Sequence, residues 1–186
     1  RFGDVDKVFE IWNISDASKP RRLSSLTFDC EIESMKISRD NRKSYLLCQD
    51  MFYIVDISDL ESPNIVGGTK AGTSILLTDV AVSEDGKTGF AIQGVRFVQL
   101  VVWNFTNPAD PEVLARVDSD KESYGKKVFV SKDSKTLFTV GDNIILYNIS
   151  DVKSISQLAI FPMESDQGVV EILEARLSED EKTLFI

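Results

Sequence analysis

Apolar residues fall in short stretches separated by polar turns, and they are largely β-branched or aromatic, as in Val128-Phe129-Val130. No window of about 11 residues carries the 3.6-residue periodicity of an amphipathic helix. The pattern predicts an all-β chain.

The stretches repeat. Met35-Lys36-Ile37-Ser38-Arg39-Asp40 leads to Tyr45, and Val80-Ala81-Val82-Ser83-Glu84-Asp85-Gly86-Lys87 leads to Phe90. Val128-Phe129-Val130-Ser131-Lys132-Asp133 leads to Phe138, and Ala175-Arg176-Leu177-Ser178-Glu179-Asp180 leads to Phe185. Ser38, Ser83, Ser131 and Ser178 are 45, 48 and 47 residues apart, and an aromatic follows each by seven positions. A second motif falls between them: Phe9 to Asp16, Tyr53 to Asp59, Leu100 to Asn107 and Ile145 to Asp151. Seven residues beyond its Asn or Asp stand Pro20, Pro63 and Pro111, with Ile155 in the fourth copy, and then a further apolar stretch.

Each period therefore predicts four strands. Ser-x-Asp-Gly-Lys suits a tight turn, because Ser and Asp side chains accept from backbone N–H groups and Gly tolerates positive φ. A Pro after Ile-Ser-Asp suits an edge strand, where a missing N–H does no harm. Four antiparallel strands recurring every 45 residues or so predict a β-propeller with one blade per repeat. A β-sandwich, the main rival, does not repeat its turn residues on a four-strand period.

The motif Tyr53-Ile54-Val55-Asp56-Ile57-Ser58-Asp59-Leu60-Glu61-Ser62-Pro63 and its counterparts resemble the LVIVD-repeat family, whose blades end in Leu-x-Ile-Val-Asp-Ile-Ser-Asp-Pro before a second Pro. The first Pro survives as Pro108 and is replaced by Ala17, Leu60 and Val152. The resemblance implies a propeller, commonly in a secreted or surface-associated protein, and transfers no catalytic residue. A cytoplasmic protein is the alternative.

The repeats divide residues 1–186 into partial units at 1–26 and 164–186 around whole ones near 27–70, 71–118 and 119–163. Arg1 aligns with Ile92 and Ile186 with Ala91, so the chain starts and stops in phase. Two arrangements follow. The chain is a segment of a larger propeller, or it closes a four-bladed ring whose last blade joins residues 172–186 to residues 1–26.

Composition narrows the chemistry. There is no histidine, which removes Ser/His/Asp and Cys/His nucleophiles, imidazole bases and imidazole-bound metals. Two cysteines without CxxC spacing exclude a cysteine-only zinc site, and no cofactor is predicted. A formal charge of −9 repels phosphate backbones and anionic membranes, so nucleic acid is not an expected partner. The longest apolar run, around Leu100 to Trp103, is too short to span a membrane.

Candidate sites are few. Asn13-Ile14-Ser15, Asn104-Phe105-Thr106 and Asn148-Ile149-Ser150 are N-glycosylation sequons, although Asp56 in the same slot shows that an Asn or Asp there also caps a turn. Trp12 and Trp103 share a register with Val55 and Tyr147, as packing between blades requires. Asp118-Ser119-Asp120-Lys121-Glu122 carries hard oxygen ligands but no calcium-loop spacing, and reads as a solvated turn. Cys30 and Cys48 flank one hairpin. Pairing Ser38 with Ser44 leaves them about four residues, or roughly 13 Å, apart, so two buried thiols are expected.

The expected function is a non-catalytic platform binding a protein or a surface carbohydrate through irregular loops at Gln93 to Phe97 and Ser119 to Gly125. The alternatives are a carboxylate-dependent propeller hydrolase of lactonase or glycosidase type, or a purely structural blade set.

Overall fold

The computed structural model describes residues 7–49, 51–70, 77–95, 97–122, 124–163, 172 and 174–186. Among them the chain is all strand and turn. Strands β1 (Lys7–Asn13) and β2 (Arg21–Phe28) form one two-stranded antiparallel sheet. Three four-stranded meanders follow: β3 (Ser34–Ile37), β4 (Lys43–Cys48), β5 (Met51–Asp56) and β6 (Asn64–Lys70); β7 (Leu77–Val82), β8 (Thr88–Val95), β9 (Phe97–Asn104) and β10 (Glu112–Glu122); β11 (Gly125–Val130), β12 (Thr136–Gly141), β13 (Asn143–Asn148) and β14 (Ser156–Pro162). Strands β15 (Arg176–Leu177) and β16 (Leu184–Phe185) begin another. These are propeller blades. A closed four-bladed ring would join β15-β16 to β1-β2 in one sheet, whereas the described residues place them in two separate ones.

The middle strands β4, β5, β8 and β9 are buried on both faces, which explains why they read as nearly unbroken apolar runs rather than clean alternation. Tyr45, Leu47, Phe52 and Ile54 of the second blade meet Val80, Ala91, Val101 and Trp103 of the third. Leu46, Cys48 and Val55 turn the other way, onto Phe9 and Phe28. Phe90, Ile92, Leu100 and Val102 pack likewise on Val128, Leu137, Ile145 and Tyr147. Phe52 stacks on Trp103 at 5.3 Å and on Phe105 at 4.8 Å, so aromatic contact adds to area burial at this interface. Trp103, Val55 and Tyr147 are fully buried as their register predicts, while Trp12, in the two-stranded sheet, is 48% exposed.

The outermost strands β2, β6, β10 and β14 all slip register at the same position of the repeat, and β10 slips again between Asp118 and Glu122. Leu23, Val66, Leu114 and Leu158 are each skipped, and the residue that follows is small: Ser24, Gly67, Ala115 and Ala159. Such a bulge bends the strand. The reason for the small residue is the turn of the next blade. Ser24 Oγ donates to Leu60 O at 2.6 Å, and a Cβ placed on Gly67 would lie 1.6 Å from Pro108 O.

The first turn of each blade is built as its sequence predicts. Ser38, Ser83, Ser131 and Ser178 donate to Asp40, Asp85, Asp133 and Asp180 at 2.6 to 2.7 Å. The next residue, Asn41, Gly86, Ser134 or Glu181, has φ between 55° and 70°. Adjacent turns are linked: Arg39 pairs with Glu84, the Glu84 N–H donates to Ser134 Oγ at 3.2 Å, and the Lys132 N–H donates to Glu181 Oε1 at 2.8 Å.

One expectation fails outright. Cys30 and Cys48 form a disulfide, with Cα atoms 5.6 Å apart. The extended-strand estimate of their separation assumed that the strand reached back to Cys30. In fact β3 begins at Ser34, residues 29–33 carry no strand, and the Glu33 N–H donates to Leu47 O at 2.8 Å, which folds the connection over the end of β4. Ile37, not Ser38, also pairs with Ser44.

Candidate functional site

The innermost strands β3, β7 and β11 lie side by side, and all enter from the connections between blades. Four residues before each turn Ser, every copy of the repeat carries a polar residue, and each time a different one: Ser34, Asp79, Lys127 and Glu174. Because the copies superpose in register, these four occupy one level around the axis, at the end of the channel opposite the Ser-x-Asp turns. The structure couples them in neighbouring pairs.

Asp79 is the deepest of the four, 2% exposed. Its Oδ1 accepts from Ser34 Oγ at 2.5 Å and its Oδ2 from the Val128 N–H at 2.9 Å. One carboxyl group thereby ties three innermost strands together. A register shift between Leu77 and Asp79 accompanies this placement. Beside it, Thr78 Oγ1 donates to Gly125 O at 3.1 Å and Ile92 O at 3.3 Å, a second tie between the third and fourth blades.

Lys127 and Glu174 make the other pair, with Nζ 3.5 Å from Oε1. The Lys127 ammonium holds the Glu174 carboxyl below the usual range, helped by the Ala175 N–H, which donates to Oε1 at 3.2 Å. The Glu174 side chain is more than half exposed and that of Lys127 about a third. At neutral pH this is an accessible carboxylate beside a cation. It can take a proton from water and set a positive charge against a developing oxyanion.

Further along the channel, Lys36 Nζ sits 5.9 Å from the centre of the Phe129 ring. A groove of about 200 Å³ there is lined by Lys36, Val82 and Phe129 among others. At the turn end a cleft of about 390 Å³ lies between Asp40, Tyr45 and Asp85. Burial, with Asp40 and Asp85 nearby, pushes the Tyr45 phenol up to about 12, and it donates to Gly86 O at 3.2 Å. Tyr45 is therefore a protonated structural tie.

The sequence-predicted positions fall elsewhere. Asn13, Asn104 and Asn148 lie at the ends of β1, β9 and β13, each accepting at Oδ1 from the N–H two residues on, at 2.9 to 3.0 Å. Asp56 makes the same contact at 2.8 Å. Asp118 and Ser119 belong to β10 rather than to a free turn, and Asp118 accepts from Gln99 Nε2 at 2.7 Å. Most of the Lys70 to Ser74 stretch, with the side chains of residues 94–98 and 120–123, lies outside the described residues. Among the described residues no group of three or more carboxylate or cysteine side chains is placed to hold a metal. Among the described residues no helix is long and apolar enough to cross a membrane.

No protein-family model matches the chain, and no curated protein matches it. Solved structures do. The chain superposes on the periplasmic gluconolactonase of Pseudomonas aeruginosa with TM-score 0.78 at 15% identity, covering 98% of this chain and 57% of that one. A putative 6-phosphogluconolactonase from Bacteroides fragilis gives 0.72 at 11%, covering 96% and 56%. A protein from Lactobacillus plantarum gives 0.77 at 13%, covering 96% and 57%. The chain spans little more than half the length of these proteins. At such identities the likeness establishes the propeller fold. It also corrects the expectation of a non-catalytic platform. That expectation rested on the missing histidine and on loops without a visible acid and base, yet two of the superposed propellers are named as lactonases, and the structure brings a carboxylate and a lysine together at the channel.

Proposed function

We propose that this chain is the site-bearing part of a carboxylate-dependent propeller hydrolase that opens lactones or related esters. The observation that carries the reading is the Lys127–Glu174 pair at the channel end of a fold shared with proteins named as lactonases. In this reading Glu174 draws a proton from water as the water oxygen bonds to the carbonyl carbon. Lys127 faces the oxygen that becomes anionic. The tetrahedral intermediate collapses by breaking the ring C–O bond, and the proton held by Glu174 passes to the departing alkoxide. Asp79 and Ser34 do not touch the reacting atoms; they fix the strands that present the pair.

The Cys30–Cys48 disulfide supports placing the protein in an oxidising compartment, outside the cytosol.

The test is lactone and aryl-ester hydrolysis by the purified full-length protein, followed by pH-stat. Turnover above buffer that falls roughly 100-fold or more in Glu174→Gln, and is also reduced in Lys127→Met, is expected. No turnover, or turnover indifferent to both substitutions, overturns the proposal.

A further inference from the structure

The chain has seven asparagines, and three of them, Asn13, Asn104 and Asn148, stand in Asn-x-Ser/Thr sequences at the same position of the repeat. The turn they cap does not require asparagine. Asp56 fills the fourth copy and accepts the same backbone N–H, at 2.8 Å against 2.9 to 3.0 Å for the three asparagines. What asparagine adds is the amide nitrogen. In all three the side-chain oxygen is engaged, and among the described residues Nδ2 and the Ser15, Thr106 and Ser150 hydroxyls make no hydrogen bond. Asn13 is exposed, Asn104 and Asn148 are partly so, and the hydroxyl-bearing residue of each sequence is exposed. Asn104 and Asn148 lie in complete four-stranded blades, so their exposure is that of a finished sheet.

Two further observations bear on this. The disulfide between Cys30 and Cys48 belongs to the oxidising route on which such sequences meet glycosyl donors. The three turns lie at the strand ends opposite Ser34, Asp79, Lys127 and Glu174, so bulky groups there leave the channel entrance open.

We infer that the outer turns of the blades are N-glycosylated at Asn13, Asn104 and Asn148. The side-chain nitrogen forms a C–N bond to the anomeric carbon of a lipid-pyrophosphate-linked oligosaccharide. The sugar–oxygen bond to the pyrophosphate breaks, and the nitrogen loses one proton. The product places glycans around one rim of the propeller and none at the channel mouth.

The experiment is mass spectrometry of the full-length protein from its native source, before and after peptide N-glycosidase treatment in ¹⁸O water. Loss of mass on treatment, with Asn→Asp conversion and ¹⁸O incorporation at these three positions, is expected. Ser15→Ala, Thr106→Ala and Ser150→Ala should each abolish the label at its own site only. An unchanged intact mass with all three asparagines unmodified overturns the inference. The readout is covalent mass, so it stands or falls separately from any hydrolase activity.

Discussion

The backbone N–H of Val128 donates to Oδ2 of Asp79 at 2.9 Å, so a strand of the fourth blade is held by a side chain of the third. The other oxygen of Asp79 is held by Ser34 of the second blade. Neither contact is made within a sheet ladder. The carboxyl group is doing between blades what hydrogen bonds do within them.

Replacing Asp79 by alanine leaves a buried N–H and a hydroxyl without acceptors, at a cost of about 1–3 kcal/mol for each group that cannot reach water. We expect Asp79→Ala to lower unfolding stability by roughly 2–4 kcal/mol in urea titration, with Asp79→Asn intermediate because the amide can satisfy only one of the two donors. A loss under about 0.5 kcal/mol, typical of a surface change, would show that water replaces the carboxyl group.

Gly67 is a packing requirement and not a conformational one. A Cβ there meets Pro108 O at 1.6 Å, and that oxygen belongs to backbone that cannot swing aside. Gly67→Ala therefore has to push the second and third blades apart along their outer edge, and the expected cost is about 1–3 kcal/mol, the range for overpacking. Ala115→Gly, at the equivalent place one blade on, relieves no such clash and should be destabilising only through chain entropy, by about 1 kcal/mol or less. Equal effects of the two substitutions in thermal unfolding would refute this account.

The blades were legible because their turns repeat chemically: Ser, Asp and Pro recur at fixed offsets, and local hydrogen bonding dictates those residue types. The small residue after the outer-strand bulge recurs as Ser24, Gly67, Ala115 and Ala159, each four residues beyond Pro20, Pro63, Pro111 or Ile155. The sequence showed there only a further apolar stretch, because what demands a small side chain is the turn of the next blade. The candidate site was hidden for the opposite reason. Ser34, Asp79, Lys127 and Glu174 share a repeat position but no chemistry, and a search for similarity passes over a column where the copies disagree. The signal was that this column is polar in every copy while the position after it, Met35, Val80, Val128 and Ala175, is apolar in every copy. Cys30 and Cys48 were misjudged because the linker before β3 folds back, and no periodicity marks where a strand begins.

The Ser-x-Asp turns make stability fall in acid. Hydrogen bonds from Ser38, Ser131 and Ser178 first, and from backbone N–H groups second, hold Asp40, Asp133 and Asp180 below the usual range. A carboxyl group depressed in the folded state contributes stability that is fully present above its unfolded value near 3.9 and is lost as the pH falls through the folded value. Ser131→Ala removes the largest cause at Asp133. Its destabilisation relative to the parent should therefore be greater at pH 7 than in acid well below the unfolded value near 3.9, where the stabilisation from the depressed carboxyl is being lost in the parent. A gap between the two urea midpoints that widens on acidification would reverse the sign and sink the argument.

The disulfide closes a short loop, Cys30 and Cys48 being separated by 18 positions along the sequence. Loop-closure entropy in the unfolded chain then predicts about 3 kcal/mol of stabilisation. In the folded protein the bridge also fixes residues 29–33, which lead into β3 and so into Ser34 and its bond to Asp79. Cys30→Ala with Cys48→Ala should lower stability by roughly that amount, and the effect should be smaller in a background that already carries Asp79→Ala, since both changes loosen the same strand. Thiol titration of the native-source protein in denaturant provides the direct check. No reactive thiol before reduction and two after it are expected, and two thiols before reduction would show that the bridge does not form in the cell.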